Sequence, residues 1–222
     1  MASTAAGFDH EGVAERLMAL VRSDSSAGRA ALTARPYYPG NETARNFADA
    51  ANYLCLIHGR APGVVDLAAA QYVPPVARAW LEAAVAGFAR ERAYITRLAV
   101  AAGPQPSTPG HAASEATVLG QRHAAEVLAK SERSGCALGA AMALMLDWRA
   151  LREVLDIAAI RFGIDPPPLG LPTVEETREV ATAFATTPGT ERAMLFGAEQ
   201  IMVQHRALWD LLDDRRQARL EA

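Results

Sequence analysis

Four ionisable residues stand in the middle of apolar helical stripes: Glu91, His123, Arg152 and His205. At about 100° per residue, a polar group at such a place must be partnered in the interior or must line a cavity. Glu91 shares its side with Trp80, Ala84, Gly87, Phe88, Tyr94, Ile95 and Leu98, all within about 60° of it on an ideal helix. His205 is surrounded by Met194, Ala198, Ile201, Met202, Leu208, Trp209 and Leu212. His123 lies in the stripe of Ala112, Ala116, Leu119, Gly120 and Val127, with Glu126 at its edge. Arg152 is flanked by Trp148, Leu155 and Ala159, with Met145 and Asp156 beside it.

Two kinds of chemistry follow from these types and spacings. In the first, the groups satisfy one another. Arg152 pairs with Asp156 one turn away or with Glu91 across the core, and each histidine gives a ring N–H to a carbonyl. In the second, Glu91, His123 and His205 converge from three helices on a metal. Carboxylate and imidazole ligands suit iron, manganese or zinc, and one histidine alone would suit a haem. A di-iron carboxylate centre would require paired Glu-x-x-His motifs. The chain runs His123-x-x-Glu126, the reverse order, and Glu199 lies six residues before His205 and off its face.

Other residues invite weaker readings. Tyr37 and Tyr38, between Pro36 and Gly40, form an aromatic loop that would stack on a ligand or cap the end of a helical bundle. Asn46 and Tyr53 share one side of a helix and would add polar groups to a cavity or form its edge. Cys55 and Cys136 sit in apolar runs as small buried hydrophobes, with Cys136 near a helix start that could favour a thiolate. No Gly-Lys-Ser/Thr phosphate loop and no Gly-x-Ser-x-Gly elbow occurs.

The elements that must carry these residues read as helices. Alanine dominates the apolar half of the composition, while aromatics make up 6%. No stretch alternates as a strand would. Asp9 can cap a helix to about Arg22, continued from Ala27 to Thr33, and Asn41 a helix to about His58, stopped by Gly59. A short helix covers Val64 to Gln71. Pro74 and Pro75 open a long one to about Ala102. After the turn-rich run Gly103 to Gly110, a fourth long helix reaches about Lys130. A fifth, capped by Ser131 or Ser134, ends at Phe162 and Gly163. The run Asp165 to Pro172 is extended. Thr173 with Glu176 has capping-box spacing, Thr187-Pro188-Gly189 breaks the chain, and a last helix runs from about Glu191 to Arg219.

This pattern predicts an all-α fold: one domain over residues 1–222, with 1–8 as a flexible tail. About five to seven helices would form an antiparallel bundle joined by Pro/Gly-rich turns. The layout resembles compact bundle folds such as the ferritin-like and haem-oxygenase-like groups. No stretch carries either group's motif, so the resemblance assigns no residue a role.

The 22 basic and 25 acidic residues leave a net charge of −3, which gives no electrostatic reason for a nucleic-acid partner. Arg215, Arg216 and Arg219 read as a solvated helix end diluted by Asp210, Asp213 and Asp214. The N-terminus lacks a secretory pattern, and the most apolar run, Cys136 to Leu146, is too short to span a bilayer. The expectation is a cytoplasmic protein with no membrane partner. The leading functional expectation is a non-catalytic structural, regulatory or partner-binding module, with homodimerisation through alanine-rich helix faces that include Ala181, Ala183 and Ala185. A metal- or haem-dependent enzyme or sensor using Glu91, His123 and His205 is the second reading. An apolar small-molecule pocket gated by Tyr37 and Tyr38 is the third.

Overall fold

A computed structural model describes residues 10–33, 42–71 and 74–222. The expected tail at 1–8, the caps Asp9 and Asn41, and the aromatic pair Tyr37 and Tyr38 fall outside these residues. The described chain is all-α, with no strand in it. The short helices are α1 (His10–Ser23), α2 (Ser26–Thr33), α4 (Val64–Ala69) and α8 (Val174–Phe184). The longer ones are α3 (Glu42–His58), α5 (Pro75–Ala102), α6 (His111–Ala129), α7 (Cys136–Arg161) and α9 (Pro188–Leu220).

The helix ends follow the local chemistry. Thr173 accepts a hydrogen bond from the Glu176 amide while the Glu176 carboxylate takes the Thr173 amide, the reciprocal cap expected at α8. Thr187 does more than break the chain. Its side chain accepts from the Thr190 amide and Pro188 becomes the first helical residue, so α9 begins three residues earlier than expected. α7 is capped by Gly135, in a left-handed conformation at φ 96°, and by neither Ser131 nor Ser134. A side chain at position 135 would run into the Thr190 carbonyl, so the turn that starts α7 needs glycine twice over.

Side-chain contacts fix the helix directions. Asn46 meets Arg219, Asp49 meets Arg215, and His58 meets His205, so α3 and α9 are antiparallel. Gly135 abuts Thr190, Gly139 abuts Met194, and Asp147 meets His205, so α7 and α9 run parallel. Glu91 meets Trp148 and Tyr94 meets Asp156, so α5 and α7 are parallel as well. α6 and α8 return the chain between these parallel elements. The α7–α9 seam is close because two glycines face backbone: a Cβ on Gly139 would lie 2.0 Å from the Met194 carbonyl oxygen, and one on Gly197 2.0 Å from that of Cys136. α7 forms the centre of the core, with Leu144, Met145, Trp148 and Leu155 almost wholly excluded from water.

The candidate functional site

Among the described residues, three polar clusters stand out in the helical core. The first is centred on Glu91 of α5, which has no exposure to water. Arg152 Nη1 donates to Glu91 Oε1 at 2.8 Å and to Oε2 at 2.9 Å, and the Trp148 indole N–H donates to Oε2 at 2.9 Å. Arg152 also donates through Nε to Asp156 Oδ1 at 2.9 Å and through Nη2 to the Pro167 carbonyl at 2.6 Å. Its guanidinium stands 4.6 Å from the centre of the Tyr94 ring. Tyr94 donates its hydroxyl to Asp156 at 2.8 Å and to the Leu155 carbonyl at 3.1 Å. Burial, then the neighbouring Asp156 carboxylate, raises the Tyr94 hydroxyl above its usual range, so the phenol stays protonated. Both partners expected for Arg152 are present together, and the guanidinium sits in a closed shell of acceptors.

The proline-rich segment 165–172 serves this cluster. Proline has no N–H to bind a neighbouring carbonyl, which leaves extended-chain carbonyls free for arginines. Pro167 receives Arg152, Gly170 receives Arg90, and Pro172 receives Arg149.

The second cluster is a chain through the core formed by Ser26, Asp147, His205 and His58. Asp147 accepts from the Ser26 amide at 2.8 Å and from the Ser26 hydroxyl, capping the first turn of α2 from a different helix. His205 Nδ1 donates to Asp147 Oδ2 at 2.7 Å. His205 Nε2 lies 3.1 Å from His58 Nε2, a distance at which one nitrogen carries the shared proton and the other supplies a lone pair. Burial foremost, then the charges of His205 and Arg92, pushes His58 well below the usual histidine range and keeps it neutral. Burial alone would raise Asp147. The hydrogen bond and charge of His205, together with the Ser26 bonds, outweigh it and hold the carboxyl below its ordinary value. Trp148 joins the two clusters: its N–H is on Glu91 and its ring meets His58 edge-on at 5.6 Å.

The third cluster ties α3 to α9. Arg215 Nη2 donates to Asp49 Oδ1 at 2.9 Å and to Thr108 at 3.2 Å, and Arg219 reaches Asp49, Glu42 and Asn46. The expectation of a solvated arginine end therefore fails for Arg215 and Arg219, whose side chains are 2% and 3% exposed. Asn46 and Tyr53 are buried in the same seam, 5% and 0% exposed, rather than forming a helix edge.

The proposed metal trio does not come together. Glu91 is enclosed by Arg152 and Trp148, and His205 by Asp147 and His58. His123 lies on the exposed side of α6. Among the described residues no group of three His, Cys, Asp or Glu side chains is arranged to hold an ion. The reason is a misread face. The stripe around His123 points outward, and α6 packs through Ser114, Val118, Gln121, Ala125 and Ala129 instead. Sequence reasoning also missed His58 and Asp147. The signal was there: His58 follows Phe47, Ala51 and Leu54 at helical spacing, and Asp147 follows Ala140 and Leu144.

The surface cavities described span about 310 to 620 Å³, and Glu91, Asp147, His58 and His205 line none of them. Both cysteines are free, Cys136 fully buried at the start of α7. No helix among the described residues is long and apolar enough to cross a membrane.

Residues 21–220 match a family described as one of unknown function. The chain belongs to DUF6975. The DUF6975 match takes in all three polar clusters, from Ser26 on α2 to Arg219 on α9. No curated protein and no solved structure matches the chain.

Proposed function

We propose that this DUF6975 protein is a non-catalytic, partner-binding helical bundle whose buried acid–base groups are structural. One observation carries the reading. Glu91 and Asp147, the two fully enclosed carboxylates of the central clusters, have both oxygens occupied by protein donors. A general acid or base must reach a substrate proton, and a ligand carboxylate must present a lone pair to its metal. Here those lone pairs are already directed at Arg152, Trp148, Ser26 and His205. Buried ion pairs of this kind fix which helix meets which, since a mismatched packing would strand a charge in the core.

On the same reading the chain acts in the reducing cytoplasm, with Cys55 and Cys136 as free thiols, and nucleic acid is not its partner. The test is elemental analysis and an absorption spectrum of the purified protein, repeated on Glu91→Gln and His205→Gln. Substoichiometric metal and no visible absorption are expected in all three. Stoichiometric iron, manganese or zinc that disappears in either variant would overturn the reading.

A further inference from the structure

α6 is apolar on two opposite sides. Its inner side carries Ser114, Val118, Gln121, Ala125 and Ala129. Roughly half a turn away, Ala112, Ala116, Leu119, Gly120, His123 and Val127 form a second stripe that faces solvent. Leu119 is 37% exposed and Val127 57%. The charged residues Arg122 and Glu126 are set to one edge, where they pair with each other. Along the other edge a groove of about 390 Å³ opens between α6 and α9, lined by Ala124, Val127, Leu128, Cys136 and the 40% exposed Phe196. A solvated helix would place charge at the centre of its outer face. This one places apolar side chains there, continuous with an apolar groove.

The geometry points to a second copy of this chain as the occupant, seated with the two α6 helices antiparallel about a two-fold axis between Gly120 and His123. This rests on the partner-binding reading above and names the partner. In that register the outer stripe is self-complementary. Gly120 faces the partner's His123 and Ala116 faces the partner's Val127, so small meets large at both steps, while Leu119 packs at the edge beside the partner's His123. Nothing would crowd a Cβ on Gly120 within the monomer, so the space above it is available to the facing helix.

Charge agrees with the same orientation. Glu115 is exposed at the N-terminal end of the stripe, and Lys130, Glu132 and Arg133 are exposed just beyond its C-terminal end with one net positive charge, Arg133 standing over the Phe196 ring. Antiparallel pairing sets the acid of each copy near the partner's basic pair, twice by symmetry. Parallel pairing would set like beside like. Size sets the strength. The 19 residues of α6 span about 28 Å, and a helix pair of that length with its flanking groove buries on the order of 1,000 Å² in total. That lies at or below the lower edge of specific interfaces, so the dimer is a weak, reversible one.

Sedimentation velocity of the full chain over a wide concentration range tests this. A reversible monomer–dimer equilibrium is expected. Leu119→Glu and Gly120→Phe, both at sites open to solvent in the monomer, should each weaken it by more than about tenfold while circular dichroism and melting stay native. Glu115→Lys should weaken the dimer, and adding Lys130→Glu and Arg133→Glu should restore it. A chain monomeric throughout, or a dimer indifferent to Leu119→Glu and Gly120→Phe, overturns the second-copy inference and leaves the non-catalytic reading to its own metal test. A dimer that both α6 variants disrupt but the charge exchange fails to rescue overturns the antiparallel arrangement.

Discussion

Asp147 on α7 and His205 on α9 meet through a 2.7 Å hydrogen bond from imidazole Nδ1 to carboxylate, with the two side chains 0% and 2% exposed. The bond closes the centre of the seam between the two helices. Through His205 Nε2 it also carries on to His58, so three ionisable side chains form one hydrogen-bonding pattern inside the core.

That pattern makes stability depend on pH in a definite direction. His58 is held neutral in the folded chain by burial, His205 and Arg92, with its folded pKa well below the unfolded one. The unfolded chain therefore takes up a proton that the folded chain refuses. Stability is complete above about pH 6.5 and falls as the pH drops below it toward the folded value, by up to about 1.4 kcal/mol per pH unit. Asp147 adds a second loss only below about pH 4, as its depressed folded pKa is approached. Urea unfolding midpoints measured from pH 7.5 to 4.5 should fall across that range, and His58→Phe should flatten the dependence. An unchanged slope in the variant would assign the effect to another group.

The Arg152–Glu91 pair predicts a non-additive result. Arg152→Met leaves the Glu91 carboxylate buried with only the Trp148 N–H, a loss of about 3–5 kcal/mol. Glu91→Gln in that background removes the stranded charge and keeps an acceptor for Trp148, so more than half of the loss should return. Chemical denaturation of the single and double variants forms the cycle, and strict additivity would mean the pair is not coupled.

Three helical glycines should respond in opposite senses. Gly139→Ala and Gly197→Ala drive a methyl into facing backbone, separate α7 from α9, and should cost at least about 2–3 kcal/mol each. Gly120→Ala meets nothing within 4 Å and should stabilise the monomer by about 0.5–1 kcal/mol through helix propensity. Thermal melts at low protein concentration distinguish the two classes.

Asp49 receives both Arg215 and Arg219 in a seam closed to water. Asp49→Ala leaves Arg215 buried without a carboxylate, while Arg219 keeps Glu42 and Asn46, and should cost about 3 kcal/mol. Because the pairs are buried, raising salt should change that cost little. Denaturation of Asp49→Ala at low and high ionic strength measures both, and a cost that vanishes with salt would place the pairs in solvent.

The sequence by itself determined the all-α class and most helix limits, because these are written in short-range signals. Proline at Pro75, the Thr173–Glu176 cap and the Gly103–Gly110 run act on the backbone within a turn of themselves. It also marked Glu91, Arg152 and His205 as buried polar groups, since a single apolar stripe around a polar residue leaves one direction to face. Only the tertiary structure decided their partners. Arg152 had Asp156 on its own helix and Glu91 on another, and it took both because α5 and α7 run parallel with that register. Only the tertiary structure, too, placed His123 outside. α6 carries apolar residues on both sides, and periodicity reports that a face is apolar, not which neighbour covers it. Small residues at Ala125 and Ala129 let the inner side pack closely, which left the larger Leu119 and Val127 in the open.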